Sequence, residues 1–254
     1  VSDFSNDELD RYARHIVLRD IGGAGQARLK SAYVTVIGAG GIGCPVIQYL
    51  AAAGVGALRI VDDDVISLSN LQRQTLFNTV DVGRLKAETA AERVAALNPY
   101  VVVDARTERA VADTVAALIV GSDVIIDGTD NFHTRLLISD AATAAHIPLV
   151  SAAIGQFQGQ VATFRGWKAG LPCYRCFVGD AHDPDDCDDC ATQGVLGAMV
   201  GMVGAFAAME AIRAITGFGD DAAGKLHIID GLAPGWRTIR LPEDPACTGC
   251  HGRE

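Results

Sequence analysis

The chain has 254 residues, with 31 acidic against 21 basic side chains and a net charge of −10. That length suffices for one α/β domain with a large core, and no Pro/Ser-rich or charged linker divides it, so residues 1–254 are expected to form a single domain. The acidic balance leaves no basic stripe for a phosphate backbone, which argues against nucleic acid as a partner.

Val1 to Asp20 is polar and charged, without the apolar core of a signal peptide, and a cytoplasmic location is the expectation. Within it, Leu9, Tyr12, Ala13, Ile16 and Val17 recur at helical spacing behind Asp7 and Glu8, predicting an N-terminal amphipathic helix from Asn6 to Arg19. Next comes the β-branched run Tyr33–Ile37, entering the turn Gly38-Ala-Gly40-Gly41-Ile-Gly43, which opens an apolar stretch. This is the strand, turn and helix of a nucleotide-binding unit: Gly40 permits close approach of phosphate, and the helix start beyond it offers free N–H groups. A second strand runs from Ala57 to Asp62, where a carboxylate can accept hydrogen bonds from ribose hydroxyls. Up to Asp64 an NAD-dependent oxidoreductase explains the pattern equally well. Asn70, Arg73, Gln74 and Lys86 then add cations beyond the ribose carboxylate, which favours the larger phosphate charge of ATP.

Helices are predicted at Gly83–Leu97, Arg109–Val120 and Asn131–Ala145, and strands at Val101–Ala105, Asp123–Asp127 and Pro148–Ala152. Alternation of this kind implies a doubly wound, mostly parallel, Rossmann-like sheet with ligands at the carboxyl ends of its strands. From Gln160 onward, Val161, Thr163 and Arg165, then Lys225–Asp230 and Trp236–Leu241, suggest added antiparallel strands. The apolar stretch from Gly194 to Met209 is shorter than the roughly 20 residues that span a bilayer and reads as a buried helix, with no membrane partner. Its glycines at 197, 201 and 204 permit close helix approach, either within one subunit or across a dimer interface.

Six of the seven cysteines fall in Cys-x-x-Cys pairs, at 173/176, 187/190 and 247/250, a pattern of metal binding or thiol chemistry in a chain of this size. By spacing alone the first two pairs make a compact four-thiolate zinc site.

Arg11-Tyr-Ala-Arg14, the Gly38–Gly43 turn, Asp62-x-Asp64, Ser69-Asn70-Leu-Gln-Arg73-Gln74, Lys86, Thr129-Asp130-Asn131 and two Cys-x-x-Cys pairs together resemble the HesA/MoeB/ThiF family, the bacterial relatives of ubiquitin-activating enzyme. The resemblance covers nearly the whole length. It implies an adenylyltransferase that joins the C-terminal Gly-Gly carboxylate of a ubiquitin-like β-grasp sulfur-carrier protein to AMP, in molybdopterin or thiamine biosynthesis. It further implies ATP bound by Gly38, Gly40, Gly41, Gly43, Asp62, Asp64, Asn70, Arg73, Gln74, Lys86, Asp130 and Asn131. In that scheme Lys86 stabilises charge on the α-phosphate, Arg73 holds the triphosphate, and Asp130 holds Mg2+ or caps the following helix. Arg14 would enter the neighbouring subunit's site in trans within a homodimer.

Carried over in the same way, Zn2+ is held by Cys173, Cys176, Cys247 and Cys250, pinning the tail. Cys190 lies where some family members carry a cysteine that takes the activated carrier as a thioester or persulfide-linked species. A nucleophile, a redox partner for Cys187 and a bystander thiol are the three readings of it, and Cys187 is an extra relative to the family pattern. With no fused rhodanese domain, sulfur would come from a separate donor protein. A noncatalytic dimeric scaffold of the same fold is the remaining alternative.

Overall fold

The computed structural model describes residues 4–179, 194–233 and 235–250. Cys187 and Cys190 lie outside them. The N-terminal helix α1 (Asn6–Ile16) is shorter than expected, and its start is a capping box in which the Ser5 hydroxyl accepts from Glu8 N–H while the Glu8 carboxylate accepts from Ser5 N–H. A helix the sequence did not suggest follows, α2 (Gly22–Ser31). Its three glycines depress helix propensity, but Gln26 Nε2 donates to Ala53 O at 2.8 Å, and Gly25 lets the helix close on Ile21. Tertiary packing overrides local preference here.

The sheet has eight strands: β1 (Tyr33–Ile37), β2 (Ala57–Val61), β3 (Val102–Arg106), β4 (Val124–Asp127), β5 (Leu149–Gly155), β6 (Gln158–Phe164), β7 (Lys225–Asp230) and β8 (Gly235–Arg240), in spatial order 3-2-1-4-5-6-7-8. Strands β1 to β5 are mutually parallel, and β6, β7 and β8 continue the sheet antiparallel. The expected doubly wound sheet with an antiparallel extension is therefore the architecture observed. Helices α3 (Gly43–Ala53), α4 (Lys86–Leu97), α5 (Val115–Ile119), α6 (Phe132–Ala144), α7 (Tyr174–Val178) and α8 (Gly197–Thr216) complete it. Order reverses between β1 and β4, and the crevice outside their carboxyl ends is where such sheets bind ligands.

Two predicted helices start later than their sequence pattern. Gly83 has φ +90°, and its N–H bonds Ile66 O at 2.8 Å, so residues 83–86 pair with 64–66 and α4 begins only at Lys86. Before α5, the Thr114 hydroxyl accepts from Val111 N–H and donates to Arg109 O, giving the backbone an alternative to helix.

Helix α8 has 20 residues, so length does not separate it from a membrane span as the sequence suggested. Its packing does: it lies across α2, α3, β4, β5 and β6, and Met199, Val200, Val203, Ala207, Ala208 and Ala211 are buried in the main core. A Cβ on Gly204 would stand 2.3 Å from Pro45 Cγ and one on Gly197 2.3 Å from Gln72 O, so both glycines serve packing within the chain. Gly201 meets nothing within 4 Å.

Candidate active site: a nucleotide cleft and a four-cysteine cluster

The glycine turn is set by two steric demands. Gly38 takes φ +93°, which favours glycine, and a Cβ on Gly43 would lie 1.9 Å from Gly38 O. Helix α3 can start only because Gly43 has no side chain. Cys44 N–H closes the turn on Gly40 O at 2.9 Å, while the amides of Gly40, Gly41, Ile42 and Gly43 have no acceptor among the described residues. A row of unpaired N–H groups at a helix start suits an anion.

Asp62, directly after β2, organises this turn. Its Oδ2 accepts from Ala39 N–H at 2.7 Å and its Oδ1 from Asp64 N–H at 2.9 Å. Burial pushes the Asp62 carboxyl above the ordinary carboxylate range, against the pull of Lys86 and of the two N–H groups. Lys86 reaches it through backbone pairing: Lys86 N–H bonds Asp64 O at 3.0 Å, which sets the first residue of α4 beside the cleft. The Lys86 ammonium is buried, 2.7 Å from Asp64 Oδ2 and 4.0 Å from Asp62 Oδ1.

Arg73, Asn70 and Gln74 come from the turn after residue 68. Asn70 organises that turn, its Oδ1 accepting from Ser67 N–H and its carbonyl from the N–H groups of Arg73 and Gln74. Arg73 donates to Ser69 O at 3.2 Å. Gln74 is buried, and its Oε1 has no hydrogen-bond partner among the described residues. A buried orphan acceptor on a cleft wall is costly unless a ligand satisfies it. From the other side come Asp130 and Asn131. The Asn131 Oδ1 accepts from Thr134 N–H at 2.8 Å, so the cap of α6 is Asn131 and the Asp130 carboxylate is exposed.

These groups line one cavity of about 960 Å³, together with Gly38, Gly40, Gly41, Asp62 and Asp64. Sequence reasoning missed other parts of its wall: Gln158 and Gln160 of β6, Phe177 and Val178 around α7, and Arg135 of α6. Arg135 had a signal, since it shares a buried stripe with Ile138, Ser139 and Ala142 at helical spacing, an unusual place for a cation. Arg14, exposed in the last turn of α1, is not among the residues that line this cavity.

At the far side of α6, Cys173, Cys176, Cys247 and Cys250 bring their sulfurs within 4.8 Å of one another. Separations of 3.9 Å for Cys173–Cys176 and 3.5 Å for Cys173–Cys247 and Cys176–Cys250 fit a tetrahedral ion. Zinc–sulfur bonds of about 2.3 Å imply sulfurs about 3.8 Å apart. Four thiolates leave no open coordination position, so zinc here would be structural. Burial pushes the Cys173 thiol up to about 12, and Cys44, buried on α3, is likewise pushed up to about 12 and inert.

Parallel strands with an antiparallel extension, a glycine-turn cleft and a closed four-cysteine cluster that fits zinc define a nucleotide-binding α/β enzyme fold. The chain belongs to the ThiF family, which it matches over residues 12–249. It is 45% identical over 243 residues to the SAMP-activating enzyme E1 of Haloferax volcanii, covering 96% of this chain and 89% of that one. It is 42% identical over 251 residues to the sulfur carrier protein adenylyltransferase of Thermus thermophilus, covering 97% and 92%. The crystal structure of Escherichia coli MccB with ATP superposes with a TM-score of 0.82 at 21% identity, over 95% of this chain and 74% of that one, a likeness of fold.

Proposed function

We propose that the chain uses ATP to adenylate the C-terminal Gly-Gly carboxylate of a ubiquitin-like sulfur-carrier protein, releasing pyrophosphate, in molybdopterin or thiamine biosynthesis. The observation that carries this reading is the convergence of unpaired turn amides, Lys86, Arg73 and Asp130 on one cleft in a ThiF family chain. Other relatives are named molybdopterin-synthase adenylyltransferase. The cationic residues beyond the ribose carboxylate count against the NAD-dependent oxidoreductase, and the complete charged set counts against a noncatalytic scaffold.

The carrier carboxylate is already ionised at neutral pH, so the reaction needs alignment and charge neutralisation more than proton transfer. One carboxylate oxygen bonds the α-phosphorus as the bond from that phosphorus to the bridging oxygen of pyrophosphate breaks. Asp62 receives the ribose hydroxyls, the turn amides receive phosphate oxygens, and Arg73 grips the triphosphate with its planar fork. Lys86 meets the charge that develops at the α-phosphate. Asp130, exposed and without a protein partner among the described residues, fits a magnesium ligand. Magnesium supplies neutralisation of phosphate oxygens when bound. Strand β8, exposed along its length, and the glutamines of β6 offer a sheet face on which the carrier lies with its tail in the cleft. Cys190 is the candidate acceptor of the activated carrier, with a separate sulfur donor protein acting afterwards.

Purified protein should catalyse ATP–pyrophosphate exchange with one β-grasp carrier ending Gly-Gly, and lose it when that tail is removed. Exchange with no carrier, from a metal-replete preparation, counts against the reading.

We infer that the active form is a homodimer with Arg14 supplied in trans. Supporting this are the outward-facing Gly201 and the exposed Met202 and Met209 of α8, beside an apolar groove of about 300 Å³ bordered by Tyr49, Ile212 and Phe218. Sedimentation at micromolar concentration should give a dimer. A monomer alone would remove both the dimer and the role of Arg14.

A further inference from the structure

The connection from β4 to α6 carries Asp130 between two fixed flanks. On one side Asn131 caps the helix. On the other, Thr129 donates both its N–H, at 3.0 Å, and its hydroxyl, at 2.7 Å, to Asp127 Oδ1. The other Asp127 oxygen accepts from the Ser151 hydroxyl at 3.0 Å and lies 3.7 Å from Arg135 Nη1. Arg135 closes the ring, donating from Nη1 to Ser151 Oγ at 3.3 Å and from Nη2 to Thr129 O. Asp127 is fully buried and Arg135 nearly so.

Burying this ion pair is a poor way to gain stability, since the desolvation cost of both charges offsets their attraction. What the ring does is fix one carbonyl and one N–H of the residue before Asp130. The same connection touches the phosphate turn: Gly128 N–H bonds Ile37 O at 3.0 Å, and a Cβ on Gly38 would stand 3.1 Å from Gly128 O. The guanidinium of Arg135 is engaged by Asp127, Ser151 and Thr129, so although it borders the cleft, its influence on bound phosphate passes through the Asp130 connection.

We propose that Arg135, with Asp127 and Ser151, is the positioning group that holds the Asp130 carboxylate where it meets the metal-bound triphosphate, and so sets the magnesium requirement of ATP binding. The inference rests on the adenylating function proposed above. It names a job for a buried cation that has no place among the nucleotide-contacting residues.

The test is equilibrium binding of ATP over a magnesium chloride titration, beside binding of AMP, which does not depend on a metal-bridged triphosphate. Ser151→Ala and Thr129→Val each remove hydrogen bonds of the ring without stranding a buried charge. Both should melt close to the wild-type temperature, raise the half-saturating magnesium about tenfold, and leave AMP affinity within twofold. Arg135→Lys, which keeps the charge and loses the fork, should show the same shift. Should Arg135→Lys fail to fold, the serine and threonine variants decide alone.

Wild-type magnesium dependence in both of these, or equal loss of AMP and ATP binding, overturns the positioning role. Asp130→Asn separates the two levels. If it too keeps wild-type magnesium dependence, the function assigned to Asp130 falls. If it shifts while the ring variants do not, only the present inference falls.

Discussion

Replacing Lys86 by alanine is expected to slow carrier-dependent ATP–pyrophosphate exchange by roughly 10²- to 10³-fold, the loss of about 2.7–4 kcal/mol that follows removal of one preorganised donor. The size comes from where the ammonium already sits. It is buried at the first residue of α4, held 2.7 Å from Asp64 and 4.0 Å from Asp62, so its desolvation and placement are completed in folding and not at the moment of reaction. Charge developing at the α-phosphate in the transition state is then met without reorganisation. In the proposed site ground-state ATP would also be held by the turn amides and Arg73, so the KM for ATP should change less than kcat, the signature of an interaction that strengthens in the transition state. The variant leaves Asp62 buried without its main counter-charge, so the melting temperature must be read beside the rate. Exchange near the wild-type rate in folded Lys86→Ala would remove the lysine from the mechanism.

The contrast between what the chain announces and what it conceals has a physical basis. Strand β1, the glycine turn and the run into α3 were legible because each needs residue types that nothing else explains. A β-branched run makes a buried strand, and only glycine fits at Gly38 and Gly43. Lys86 was legible as a candidate, but its anchoring was not, because the pairing of 64–66 with 83–86 is a backbone contact between loops without periodicity. Helix α2 was invisible for the opposite reason, since its glycines speak against helix and only packing against α1 and α8 forms it. The cysteines show the limit most plainly. Spacing along the chain favoured Cys187 and Cys190 as partners for Cys173 and Cys176, whereas the fold brings Cys247 and Cys250 there, 74 residues away in sequence for each of the close sulfur pairs. The return of the tail to α7 is a tertiary fact that local spacing does not encode. Resemblance to a family supplied it where spacing could not.

Replacing Cys247 and Cys250 together by serine should abolish stoichiometric metal, one zinc per chain in the wild type and none in the variant, by elemental analysis. Structural zinc in small finger peptides is worth about 10–16 kcal/mol apparent, and there it decides folding outright. Here the large cores of the sheet stand without it, so the loss should fall on the segment the cluster staples. The tail following β8 is anchored first by Leu241, buried in the core, and by the Gly170 N–H bond to Glu243 at 2.8 Å, and beyond them by Cys247 and Cys250, so the part past Glu243 should become cleavable in limited proteolysis. The other half of the cluster is braced independently: Arg175 grips Asp140 through two hydrogen bonds of 2.8 Å, and Tyr174 N–H bonds Ser139 Oγ at 3.3 Å. Helix α7 should therefore stay docked on α6, but lose the thiolate contacts that fix its first turn. Tyr174, Phe177 and Val178 of that helix wall the cleft next to Gln158 and Gln160, where the carrier tail would run. Carrier-dependent exchange should accordingly suffer more than AMP binding, which in the proposed site would draw on the glycine turn and Asp62. Full metal content in the double serine variant would sink the assignment of these four cysteines, and equal loss of AMP binding would show that the cluster supports the whole fold and not the carrier end of the cleft.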